Sequence, residues 1–202
     1  MENVYFWNKV EVKTFSDKKS YPMKSTLSLI VFLVFLGISM IAQQSTETPL
    51  GIDWNSGGGQ VTGNISNGIN LDDLSWAWNS SIACFPATQS SKFEGKHLWY
   101  SFEIPARTEV EIKIIPTDHT ANFSLYAYMT GLSDTSLPPD LTSCIRCESD
   151  YKWDMPWKGK TQDHTRLVRH ILAIQKPYRV VVGVVGEDGA QEGSFTLQIL
   201  KK

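Results

Sequence analysis

From Gly95 onward the chain alternates apolar and polar residues with a period of two. In "HLWYSFEI", Leu98, Tyr100, Phe102 and Ile104 share one face, and His97, Trp99, Ser101 and Glu103 share the other. After the turn at Pro105, "TEVEIKII" sets Val110, Ile112 and Ile114 against Glu109, Glu111 and Lys113. "NFSLYAYM" repeats the scheme, with Phe123, Leu125, Ala127 and Met129 opposite Ser124, Tyr126 and Tyr128. This alternation predicts half-buried antiparallel strands. Three further strands are expected at Arg166–Ile174, Tyr178–Val185 and Ser194–Leu200, the second rich in valine, a strong strand former. The last two read as a hairpin, with Gly186 and Gly189 suited to positive φ in "GEDGAQEG". One short strand is expected near Gln60–Ile65, and "NLDDLSWAW" suits a turn or two of helix capped by Asn70. No segment sustains a helical period. Six or more short strands joined by turns imply an all-β fold, a β-sandwich.

The N-terminus breaks this pattern. Leu27–Ile41 is a 15-residue run without charge, shorter than the ~20 residues that cross a bilayer and of the length of a signal-peptide apolar region. Met23-Lys24 precedes it and Ala42 follows it, so residues 23–42 read as a signal peptide cleaved before Gln43. Residues 1–22 are then either an over-long start or a short cytoplasmic tail, the latter implying an uncleaved anchor held by Lys18, Lys19 and Lys24. Residues 43–94 form a Gly/Ser-rich lead-in with the first strands, and residues 95–202 the sandwich. The expected location is outside the cytoplasm: secreted, periplasmic or at the cell surface.

Three segments carry a family likeness. "HLWYSFEIPARTEVEIKI" resembles the Tyr-x-Phe strand, Pro-containing turn and second apolar strand of the bacterial pre-peptidase C-terminal domain. "ANFSLYAYMTG" is similar to that family's next strand, and "PYRVVVGVVGEDGAQEGSFTLQI" to its terminal hairpin. The resemblance implies a jelly-roll-like antiparallel sandwich that accompanies exported enzymes as an accessory or binding module, with loops that in some members take calcium or extracellular matrix. It supplies no catalytic residue. The chain departs from the family in having no enzyme domain beside the module, and in a long Cys/Trp loop.

Charge and composition narrow the partners. From Gln43 on there are 14 Lys+Arg and 18 Asp+Glu, with no basic stripe, so nucleic acid is not an expected partner. The connection from Gly131 to Gln162 is long for a compact domain, and such connections are often functional. Its Tyr151, Trp153 and Trp157 are candidate ligand-binding residues, because aromatic side chains lose little entropy on binding. The alternative is that the tryptophans fold back as a satellite core that pins the loop. The expected ligand is a protein, peptide or glycan at the cell exterior, and membrane is a partner only if the N-terminal helix stays uncleaved.

Cys144 and Cys147, in "SCIRCE", admit several chemistries. With His164 and His170 they give C-x2-C-x16-H-x5-H, close to a structural zinc spacing. Six residues of strand, however, would hold the two histidines ~20 Å apart. A redox pair needs a stabilised thiolate, and Glu148 and Asp150 oppose one. In an oxidising compartment a disulfide is the default. Either Cys144 pairs with Cys147, the favoured expectation, or Cys84 staples the loop by closing ~60 residues. Calcium is a candidate cofactor at Asp53 and Asn55, or at Asn70, Asp72 and Asp73, although Asp/Asn beside Gly also marks ordinary turns. Otherwise no metal or cofactor is expected. Asp163-His164 and several serines occur without a hydrolase motif. The sequence therefore favours a non-catalytic binding or structural module over an exported metal-dependent hydrolase or a membrane-tethered envelope protein.

Overall fold

The computed structural model describes residues 47–71, 73–74, 87–141, 144–149 and 163–202. The chain divides into Met1–Ala42 and Gln43–Lys202. The leader, Cys84, Tyr151, Trp153 and Trp157 lie outside the described residues, as does most of the stretch expected to be helical. Among the described residues there is no α-helix, and no helix long and apolar enough to cross a membrane.

Among the described residues nine strands form two sheets. They are β1 (Glu47–Pro49), β2 (Gly58–Asn64), β3 (His97–Ile104), β4 (Thr108–Pro116), β5 (Phe123–Thr130), β6 (Arg146–Glu148), β7 (Arg166–Ala173), β8 (Tyr178–Gly186) and β9 (Ser194–Lys201). One sheet has the order β1-β3-β8-β5-β6 and the other β2-β9-β4-β7. Every pairing is antiparallel except β1 with β3. The lead-in thus supplies a strand to each sheet.

The fold is an all-β sandwich, as the alternation predicts. Tyr100, Phe102 and Ile104 of β3, Val110, Ile112 and Ile114 of β4, and Phe123, Leu125 and Ala127 of β5 are buried in one core with Val168, Val182, Leu197 and Ile199. Glu109, Glu111 and Lys113 stay half-exposed between the buried positions of β4. Burial of apolar area at about 25 cal/mol per Å² is what holds the sheets face to face.

Two expectations need correction. β8 and β9 are not a hairpin: β8 pairs with β3 and β5, and β9 with β2 and β4, so their connection crosses from one sheet to the other. Gly189 takes φ +80, but Gly186 keeps φ −70 and is needed for space, since a Cβ there would strike the Ala190 carbonyl. Polar bonds brace the crossing. Glu187 is buried and accepts from Ser124 Oγ and Asn122 Nδ2, both at 2.9 Å. Arg166 of β7 donates to Asn122 Oδ1 at 2.9 Å, joining the second sheet to the same group.

The second correction concerns the far side of the five-stranded sheet, which alternation makes a polar surface. Trp99, Tyr126, Tyr128, Val181 and Val185 on that side are fully buried, and with Phe93 and Leu141 they build a second core. β5 and β8 are therefore covered on both faces. Tyr126 of β5 and Trp99 of β3 both register with Gly183 of β8. A Cβ at Gly183 would run into the Tyr126 ring, so glycine leaves the space that the tyrosine fills.

Candidate functional site

The second core fixes the base of the long connection. Leu137, Cys144 and Cys147 pack against it and Leu141 is part of it. Ile145 N donates to Ala127 O at 2.9 Å, and Arg146, Cys147 and Glu148 register with Ala127, Tyr126 and Leu125. A stretch expected to be irregular therefore adds an edge strand to the sheet.

Inside this core sits a closed polar network. His97 is 1% exposed. Its Nε2 lies 3.0 Å from the Phe93 carbonyl, which only accepts, so Nε2 carries the proton and donates. Nδ1 is then the acceptor for the Tyr126 hydroxyl at 3.0 Å. The same hydroxyl accepts from Trp99 Nε1 at 2.8 Å. Each group has its partner only when His97 is neutral. Burial lowers its pKa to about 4, against the Phe93 carbonyl bond that favours the charged ring. Burial also raises the Tyr126 phenol well above its ordinary range. His97 points away from the main core, as expected, yet is sealed from water and placed to hold structure rather than to exchange protons.

The remaining sequence candidates scatter. The Cys144–Cys147 bond is not formed: Cys147 keeps its thiol, whereas Cys144 is the disulfide-bonded residue. β6 fixes Cys147 opposite Tyr126, whereas Cys144 stands ahead of that strand. Burial, with Glu148 adjacent, pushes the Cys147 thiol up to about 12. His164 precedes β7 and His170 lies within it, where a bulge holds it at φ 59 and Nδ1 meets Glu109 Oε1 at 2.8 Å. Among the described residues no three His, Cys, Asp or Glu side chains converge on a metal position, so the zinc spacing is not assembled. Asp53 accepts from Asn55 N at 2.9 Å and Asp163 from Thr165 N at 2.9 Å, both ordinary Asx turns. Asn70 Oδ1 accepts from Gln191 Nε2 at 3.2 Å, and Asp72 lies outside the described residues.

Sequence reasoning missed a cleft of about 550 Å³ at the β1 edge. Its floor is Arg179, 7% exposed, at the start of β8. The guanidinium donates to the carbonyls of Asp134 at 2.7 Å and Ser136 at 3.2 Å, and pairs with the Glu47 carboxylate. Ser101 Oγ donates to the other Glu47 oxygen at 2.7 Å. One arginine thus ties together the lead-in, β3, β8 and the start of the long connection. Leu50, Ile52, Trp54 and Leu132 line the walls, and Trp54 packs on Phe102 with ring centroids 6.4 Å apart. Residues from four separate stretches of the sequence build this cleft, so no local motif announces it.

Fold and surface together define a small two-sheet β-sandwich module. No family model matches the chain, and no curated protein matches it. Solved structures do. The chain is similar to the pre-peptidase C-terminal domain of a Bacillus anthracis collagenase, with TM-score 0.41 and 9% identity over 78% of this chain and 97% of that one. It is similar to the periplasmic inhibitor of g-type lysozyme PliG from Aeromonas hydrophila, with TM-score 0.40 and 8% identity over 79% and 98%. The surface-associated copper-binding protein CorA of Methylomicrobium album gives TM-score 0.46 and 9% identity over 78% and 98%.

Proposed function

We propose that this protein is an exported, non-catalytic binding module that uses the connection between β5 and β7 as its recognition surface and needs no cofactor of its own. The observation that carries the reading is the clamping of that connection by β6 and Leu141 onto a second core. A rigid base of this kind lets a long insertion present side chains without a large ordering cost on binding. Tyr151, Trp153 and Trp157 are the proposed contacts, with a protein, peptide or glycan outside the cytoplasm as ligand. The closed environment of His97 and the turn-forming role of Asp163 support a non-catalytic assignment. None of the described hydrogen bonds joins a histidine to a serine, threonine or cysteine of the kind that nucleophilic catalysis uses.

Screening the full exported chain against peptide and glycan arrays tests this reading. Trp153→Ala and Trp157→Ala are expected to abolish the strongest array signal with the thermal midpoint nearly unchanged. A loss of several degrees in both variants would make these rings core and remove the site.

Cys144 being bonded and Cys147 a thiol leaves Cys84 as the proposed partner, the third cysteine of the chain. Closing ~60 residues, that bond would contribute about 4 kcal/mol by chain entropy. Non-reducing peptide mapping of the secreted protein is expected to yield a Cys84–Cys144 peptide and an N-terminus at Gln43. Recovery of Cys144 linked to Cys147, or of all three residues as thiols, would defeat the pairing.

A further inference from the structure

The cleft at the β1 edge carries an inference that does not depend on Tyr151, Trp153 or Trp157. Its charges do not cancel. Three of the five N–H groups of Arg179 are held by Glu47 and by two backbone carbonyls. Glu103 stands directly across the strand pair from Arg179, exposed at the rim of the same cleft. Among the described residues no cation comes within ion-pair distance of Glu103, because the one nearest in register is already engaged by Glu47. Two carboxylates against one guanidinium leave the lining with a net charge of −1, located at Glu103.

The rest of the lining is apolar, and unusually open for apolar surface. Leu132 is 43% exposed, and Leu50, Ile52 and Trp54 are only half-buried beside it. The volume of about 550 Å³ falls in the range of ligand-binding clefts, roughly 300–1,000 Å³. Because the Arg179 strut pins three of its walls, the cleft is preformed.

An aromatic ring, an aliphatic wall and one unneutralised carboxylate select a particular ligand chemistry. A long basic side chain places its methylene stem on apolar surface and its cation at a carboxylate or over a ring face. An anion would meet the Glu103 carboxylate beside an Arg179 already engaged by Glu47 and two backbone carbonyls. We infer that the cleft binds a lysine or arginine side chain of a peptide, its stem against Trp54 and Leu132 and its cation at Glu103.

The test uses the full chain, 15N-labelled at tryptophan, with the Trp54 indole signal followed by NMR. The probes are acetyl-Leu-Lys-Leu-amide, the same peptide with norleucine or glutamate in place of lysine, and hexylamine. The lysine peptide is expected to shift the Trp54 signal saturably and the norleucine peptide to bind at least tenfold more weakly. The glutamate peptide should produce no shift. Glu103→Gln, an exposed change with no partner to lose, should weaken the lysine peptide about tenfold and abolish the preference over norleucine. Leu132→Ser should weaken both peptides. Equal binding of the lysine and norleucine peptides, or an unaltered preference in Glu103→Gln, would overturn the assignment. Hexylamine binding as tightly as the lysine peptide would overturn its peptide part.

Discussion

Gly183→Ala is expected to destabilise the protein by about 3 kcal/mol, the upper part of the range for adding a methyl group to a closed core. The new Cβ would collide with the ring of Tyr126, which is fully buried and held by its hydroxyl between His97 and Trp99. The ring cannot retreat without breaking those bonds, and each buried polar group left alone costs about 1–3 kcal/mol. Urea denaturation of the two chains measures the difference. A double variant that also carries Tyr126→Leu should show strong coupling, the added methyl costing far less once the ring is gone. A Gly183→Ala loss below 1 kcal/mol would mean that the ring does not rest on this glycine.

Acid sensitivity is the second large effect. The folded protein holds His97 neutral with a pKa of about 4, whereas the unfolded chain titrates it near 6.5. Between those values the unfolded state binds the proton and the folded state does not, so stability rises with pH across the window and falls on acidification. A shift of this size corresponds to about 3 kcal/mol, lost progressively from pH 6.5 to pH 4 and constant below it. His97→Gln should lower stability at pH 7, because the Phe93 carbonyl and Tyr126 hydroxyl lose a shaped partner. It should also flatten the dependence between pH 4 and 6.5. Denaturation midpoints taken every half unit of pH decide the matter, and an unchanged slope in the variant would place the acid-sensitive group elsewhere.

What the sequence disclosed of this fold follows from where alternation is informative. β4 reads cleanly, since its outward set is Glu109, Glu111 and Lys113 and stays half-exposed. In β3 and β5 the same two-residue period was also right about which residues face the main core. It erred about the other face, which is aromatic rather than charged: Trp99, Tyr126 and Tyr128 are sealed beneath a second layer. The composition of that face was the available signal, as was the nearly unbroken apolar run Val180–Val185 in β8, the mark of a strand covered on both sides. The hairpin expected between β8 and β9 failed for another reason. Turn chemistry specifies that the chain reverses, but not whether it returns to the same sheet, and the buried Glu187 settles that through partners more than sixty residues away. The long-range cleft was illegible for the same cause, since Glu47, Ser101 and Arg179 meet only after the sheets form. The local cysteine spacing misled because only Cys147 is drawn into β6, a pairing with β5 that spacing alone does not announce.

The order of strands has a consequence for how the chain is made. β8 lies at the centre of one sheet and β9 lies inside the other, yet they are the final two strands in sequence. A chain emerging from a ribosome, or threading a channel with its N-terminus first, holds β3 and β5 as strangers until Tyr178–Gly186 arrives between them. β2 and β4 wait in the same way for Ser194–Lys201. Neither layer can be completed by an unfinished chain, and such non-local pairing is slow even afterwards. The arrangement keeps the nascent sandwich pliable until β9 is made, and a premature stop anywhere before β8 would leave both sheets without their keystone.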